Sequence, residues 1–137
     1  MRIAVIDGQG GGIGKHITEK IRREMGPKVE IIALGTNSVA TSMMLKAGAN
    51  EGATGENAII NTVEEVDVVT GSLSILVANS MLGELTPAMA AAISKCKALK
   101  VVLPISRNRV EIIGVQQEPL PHLIDKLVDY LKKVEEV

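Results

Sequence analysis

The chain has 137 residues, 46% of them hydrophobic and 23% charged, with 15 basic against 16 acidic side chains and a formal net charge of -1. This predicts one soluble domain over residues 1–137, large enough to build a core without metal or disulfide staples. So even a charge balance leaves no footprint for nucleic acid or an anionic membrane, and with no Trp, no Phe and only Tyr130 there is no platform on which bases could stack. A lone cysteine, Cys96, a start without a secretory signal and no run near the length of a membrane span point to the reducing cytoplasm.

The first predicted strand is Ile3-Ala4-Val5-Ile6, continuously apolar as a strand covered on both faces must be. Asp7-Gly8-Gln9-Gly10-Gly11-Gly12-Ile13-Gly14 follows at once, and Ile13, Ile17 and Ile21 then recur at helical spacing until Gly26-Pro27. A second buried strand runs from Val29 to Leu34. Gly35-Thr36-Asn37-Ser38 supplies a turn and a helix cap, and Val39, Ala40, Met43, Met44 and Ala47 form one face of a helix ending near Gly48.

Gly52-Ala53-Thr54-Gly55 is read as a turn before a short helix from Glu56 to about Val63. Strands are predicted at Val66–Thr70 and Ser74–Ala78. Thr86-Pro87, a good N-cap followed by proline at the first helical position, opens a helix to about Lys97. Val101–Ile105 reads as a strand, Ser106–Arg109 as a turn into a further strand at Val110–Val115, and Leu120, Leu123, Ile124, Leu127, Leu131 and Val134 stripe a closing helix. Alternating strands and helices predict a single α/β, Rossmann-like, three-layer domain with a mostly parallel sheet and an antiparallel edge strand. Ligands of such sheets bind at the carboxyl ends of the strands.

The glycine loop lies at such an end, where inward-turned N–H groups and a helix N-terminus suit a phosphate. The fingerprint G-x-G-x-x-G fits Gly8 and Gly10 but then meets Ile13. The variant G-x-x-x-G-x-G does fit: Gly8, Gly12 and Gly14 resemble the phosphate loop of short-chain dehydrogenases/reductases, which implies an NAD(P) pyrophosphate against Gly12 to Gly14. The catalytic Tyr-x-x-x-Lys of that family is absent, because Val134 stands four positions after Tyr130. Gly11-Gly12-Ile13-Gly14-Lys15 also resembles the deviant Walker loop of partitioning-type ATPases, but Gly10 replaces its signature lysine and His16 its magnesium-binding hydroxyl. A turn that only brings helix and strand close together is the bland alternative, against which the number of glycines argues, since each raises the entropy lost on folding.

No acidic residue falls about 20 positions past the loop, where a ribose diol would be held. Thr36, Asn37 and Ser38 stand there instead, either as donors to a 2′-phosphate, favouring NADP over NAD, or as helix caps. Asn57, in Thr54-Gly55-Glu56-Asn57, and Asn79-Ser80, in the polar run to Glu84, are further candidates for contact with a ligand. Glu84 is the leading candidate for a general acid or base, with Asp7 second, although Asp7 is more readily an acceptor for loop N–H groups. Arg107 and Arg109 are read as edge charges or as a clamp for an anion. No Cys/His cluster suggests a metal site.

Ile6-Asp7-Gly8-Gln9-Gly10-Gly11-Gly12-Ile13-Gly14-Lys15, Ala33-Leu34-Gly35-Thr36-Asn37, Gly52-Ala53-Thr54-Gly55-Glu56-Asn57-Ala58 and Ala78-Asn79-Ser80-Met81-Leu82-Gly83-Glu84 together resemble a family of short bacterial proteins that bears only a domain-of-unknown-function label. The resemblance implies no activity. The expected function is a small cytoplasmic nucleotide-binding protein, taking NAD(P) or a related phosphate-bearing small molecule through Gly8, Gln9, Gly10, Gly11, Gly12, Ile13, Gly14 and Lys15, and acting as a sensor. The alternatives are an enzyme for a small phosphorylated or carboxylated metabolite, and an assembly subunit, a homo-oligomer in which the glycine loop is structural.

Overall fold

The computed structural model describes residues 1–136. Five strands, β1 (Arg2–Asp7), β2 (Glu30–Gly35), β3 (Glu51–Thr54), β4 (Val68–Ser72) and β5 (Leu99–Leu103), form one sheet in the order β3-β2-β1-β4-β5. Every neighbouring pair is parallel. Five helices connect and flank them: α1 (Gly12–Met25), α2 (Ser38–Lys46), α3 (Glu56–Thr62), α4 (Pro87–Lys95) and α5 (Leu120–Glu135).

The central strand shows why its sequence is unbroken by polar residues. Ile3 and Val5 point into one layer, against Ile17 and Ile21 of α1 and Leu127 and Leu131 of α5. Ala4 and Ile6 point into the other, with Ile59 of α3 and Met89 and Ile93 of α4. Strict two-residue alternation thus feeds two cores, and β1 has no solvent face to mark with polar side chains.

Helix starts follow the local chemistry. Thr86 Oγ1 accepts the Met89 N–H at 3.1 Å, with Pro87 at the first helical position. Asn37 Oδ1 accepts the Ala40 N–H at 2.9 Å and caps α2.

Three expectations from sequence are corrected. Gly52-Ala53-Thr54 belongs to β3, which has no apolar run of its own and is held by its register with β2, Ile32 opposite Glu51 through Gly35 opposite Thr54. A Cβ on Gly52 would lie 2.8 Å from Thr41 Cγ2 and 2.9 Å from Leu45 Cδ1, so the glycine lets α2 pack onto this edge. Ser74–Ala78 is not a strand: the chain leaves β4 as a 3-10 turn, Leu73–Leu76, which drives Ile75 into the core. Val110–Val115 adds no antiparallel edge strand; the segment is irregular, and Val110, Ile112, Ile113 and Val115 are exposed.

Order reverses between β1 and β4: the chain moves outward from β1 through β2 to β3, then returns to the other side of β1. The crevice at that switch point, above the carboxyl ends of β1 and β4, is where this topology leaves room for a ligand.

Candidate functional site

A cleft of about 620 Å³ occupies that crevice. One wall is the glycine loop, Asp7 to Ile13. The floor includes Ser72 and Ser74, which follow Gly71 at the end of β4. Asn79 to Leu82 form one rim and Ile105 to Asn108, following β5, form the other.

Asp7 organises the loop. It is buried at the end of β1, where Oδ1 accepts the Gly8 N–H at 2.8 Å and Oδ2 accepts the Gly14 N–H at 2.6 Å, so one carboxylate ties both ends of the loop together. Burial pushes its pKa above the ordinary value, the two N–H groups pull it back, and the negative charge of Glu84 raises it further.

Gly11 has φ 73°, the left-handed region, and a Cβ there would lie 2.8 Å from Ala40 Cα. Gly8 and Gly14 face equally tight neighbours, Thr36 Oγ1 at 2.5 Å and Met44 Sδ at 2.6 Å from a built Cβ. Gly10 and Gly12 differ. Neither has a positive φ, and a Cβ on either meets nothing within 4 Å.

Several loop N–H groups are already used: Gly8 and Gly14 donate to Asp7, Gln9 to Glu84, Gly11 to Gly8 O at 2.9 Å, and Lys15 to Gly11 O at 2.9 Å. The N–H groups of Gly10, Gly12 and Ile13 have no acceptor among the described residues. The last two open α1, where the helix dipole adds partial positive charge.

Glu84 is a clamp. Its Oε1 accepts the Gln9 N–H at 2.8 Å, the Thr36 hydroxyl at 2.7 Å and the Asn37 side-chain amide at 2.8 Å. These donors stabilise the charged form and hold its pKa below the usual glutamate value, Gln9 contributing most. The leading acid/base candidate from sequence thus joins the glycine loop to the end of β2 and stands outside the cleft lining.

The same contacts account for Thr36 and Asn37. Both are turned onto Glu84, and Asn37 also donates to Gln9 O at 3.0 Å while capping α2. Ser38 is exposed on the first turn of α2, and Asn57 accepts from Asn61 on the surface of α3. Lys15 also lies off the cleft. Thus Gly8, Gln9, Gly10, Gly11, Gly12, Ile13, Asn79 and Ser80 of the expected site line one cavity together with Asp7, whereas Gly14, Lys15, Thr36, Asn37, Ser38, Asn57 and Glu84 do not line it. Ser80 itself is buried, its hydroxyl donating to Ser74 O at 2.5 Å, which fixes the rim to the floor.

Two floor residues were missed from sequence. Ser72 and Ser74 are 5% and 8% exposed, line the cleft, and neither hydroxyl has a hydrogen-bond partner among the described residues. Their residues are buried but their oxygens open onto the cleft, where a ligand can reach them. Small polar residues directly after a buried strand, Thr70-Gly71-Ser72-Leu73-Ser74, were the available signal.

The cleft lining holds strained backbone on both the loop wall and the rim. Gln9, Asn79, Met81 and Leu82 all take positive φ, 49°, 65°, 58° and 57°, and all four line the cleft. Left-handed backbone at a non-glycine residue costs roughly 1–2 kcal/mol, and its clustering at one cavity is typical of a ligand site. Leu82 is 96% exposed, so its side chain gains no packing in return.

The chain belongs to the family described as "Domain of unknown function (DUF3842)", whose model matches residues 2–136. Among curated proteins none matches the sequence. Among solved structures, the chain is similar to the dodecameric FMN-dependent UbiX-like decarboxylase from Escherichia coli O157:H7, with 11% identity over 100% of this chain and 96% of that one and a TM-score of 0.46. Among the described residues, no helix is long and apolar enough to cross a membrane, and no group of three or more His, Cys, Asp or Glu side chains could hold a metal ion.

Proposed function

We propose that this protein binds a phosphate-bearing small molecule in the cleft above β1 and β4, with the phosphate against the N–H groups of Gly10, Gly12 and Ile13. The observation that carries the reading is the placement of Gly10 and Gly12. Packing and backbone conformation explain glycine at positions 8, 11 and 14, but neither explains it at 10 and 12, which face open space on the cleft. Close approach of a ligand to the backbone supplies the missing reason. The unpartnered hydroxyls of Ser72 and Ser74 support it.

Geometry favours a ligand of one nucleotide or less, or a phosphorylated metabolite, over a complete nicotinamide dinucleotide. The cleft runs from the glycine loop towards β4 and β5, whereas the second nucleotide of a dinucleotide on this topology lies over β2. That end carries the Glu84 carboxylate on Thr36 and Asn37, a charge that repels the 2′-phosphate of NADP. NAD, by contrast, would meet a free carboxylate oxygen there, so it stays in the test panel ahead of NADP. Binding without turnover, as in a sensor, fits better than catalysis, because Asp7, the acidic group in the lining, has both oxygens committed to the loop.

Native mass spectrometry of the freshly purified protein, with denaturing analysis of anything retained, tests this without a guess at the ligand. The expected result is a co-purified phosphate compound, or thermal stabilisation by at least one member of a panel of NAD, NADP, FMN, AMP and sugar phosphates. Bare protein with no stabilisation by any of them would overturn the reading in favour of a structural loop.

A further inference from the structure

The far rim of the cleft carries a cation that the phosphate site leaves unused. Arg107 lines the cleft, is exposed, and forms no ion pair or hydrogen bond among the described residues. It is the cationic side chain of the lining; Lys15 and Arg109 stand outside it. Neither carboxylate of the region pairs with Arg107: Asp7 accepts from Gly8 and Gly14, and Glu84 accepts through Oε1 from Gln9, Thr36 and Asn37.

The turn bearing Arg107 is built rather than loose at its base. Ile105 N–H donates to Leu103 O at 2.7 Å, Asn108 N–H to Ser106 Oγ at 3.0 Å and Val110 N–H to Asn108 O at 2.8 Å. Ser72 and Ser74 line the same cleft, more than nine-tenths buried and without hydrogen-bond partners among the described residues. A guanidinium and two unpaired hydroxyls on one cleft are a set of donors for a carboxylate or phosphate group.

Resting on the reading that the glycine loop holds a phosphate, we infer that the ligand is a two-headed anion: one phosphate on Gly10, Gly12 and Ile13, and a second anionic group on Arg107, Ser72 and Ser74. Topology sets the span between the heads. The glycine loop follows β1 and Arg107 follows β5, with β4 between; two strand spacings amount to about 10 Å, part of which the arginine side chain bridges. Sugar bisphosphates and phosphorylated sugar acids belong to this class, and simple phosphate monoesters do not.

Titration of isotope-labelled protein with inorganic phosphate, followed by chemical shifts, separates the two loci. The expected result is one set of shifts at the amides of Gly10, Gly12 and Ile13 and a second at the Arg107 Nε–H and the amides of Ser72 and Ser74. In Arg107→Gln the second set weakens at least about tenfold, a loss of about 1.4 kcal/mol, while the first persists; Arg107→Lys restores part of the second. Shifts at the glycine amides with Arg107 and the serines unmoved would overturn the second locus and leave the phosphate reading intact. No shift at the glycine amides would overturn the phosphate reading itself. Fructose 1,6-bisphosphate should also bind at least about tenfold more tightly than fructose 6-phosphate, with the ratio collapsing in Arg107→Gln; equal affinities in the wild type would overturn the two-headed ligand.

Discussion

Gly8, Gly11 and Gly14 on one side, and Gly10 and Gly12 on the other, occupy a single loop yet answer to different demands. The first three are enclosed: each added Cβ would lie within 2.8 Å of a neighbouring atom, and Gly11 also has a left-handed backbone. The other two are glycines without a folding reason, facing an unfilled cleft whose floor holds unpaired hydroxyls. One sequence run therefore contains a hinge for folding and a cradle for a ligand, and counting glycines cannot separate them. What separates them is the environment of a Cβ that is not there.

The largest effect is expected at Gly11. Gly11→Val forces a β-branched side chain into positive φ and against the Ala40 backbone, and should cost about 3 kcal/mol or more in urea unfolding. A loss below about 1 kcal/mol would mean the loop relaxes freely and the enclosed class does not exist.

Glu84→Gln comes next. It replaces a charged acceptor of three hydrogen bonds with a neutral amide, an expected loss of about 1–2 kcal/mol at neutral pH. Because the folded pKa of Glu84 is depressed, its contribution is present above the ordinary value of 4.5 and disappears as pH falls through the lower folded value. Asp7 has the opposite sign: its raised folded pKa gives stability below the ordinary 3.8 that is lost as pH rises through the folded value. Urea midpoints taken from pH 4.5 downward should thus fall more steeply in the wild type than in Glu84→Gln, and parallel curves would contradict the clamp.

Smaller effects are expected to be gains. Gly12→Ala, at the first position of α1 with open space around it, should stabilise by about 0.4–1 kcal/mol through the unfolded state. Leu82→Gly should be neutral or stabilising by up to about 1 kcal/mol, since it relieves a left-handed backbone and sacrifices a side chain that packs on nothing. Destabilisation of Leu82→Gly in calorimetry would show that the strained rim depends on that side chain.

What the sequence made legible was local. The unbroken Ile3–Ile6 run, the glycines after it, the Thr86-Pro87 cap and the stripe from Leu120 to Leu131 each carry their signal within a few residues, and the elements appear where they were expected. β3 was illegible because Glu51-Gly52-Ala53-Thr54 becomes a strand only beside β2. The role of Glu84 was illegible because its partners lie 47, 48 and 75 residues away in the chain. Ser72 and Ser74 were hidden by the apolar Ile75-Leu76-Val77, which suggests a strand by pattern but turns over the sheet end because Ile75 has a core to fill. At Val110–Val115 the pattern favoured a strand and no neighbouring strand is paired with it, so propensity went unrewarded.

Whether the open glycines serve a ligand rather than the fold is decided by measuring phosphate affinity and unfolding free energy together for Gly12→Ala. The two should diverge, with stability equal to or above the wild type and phosphate binding weakened at least about tenfold. A variant that is as stable as the wild type and binds phosphate equally well would contradict the ligand role.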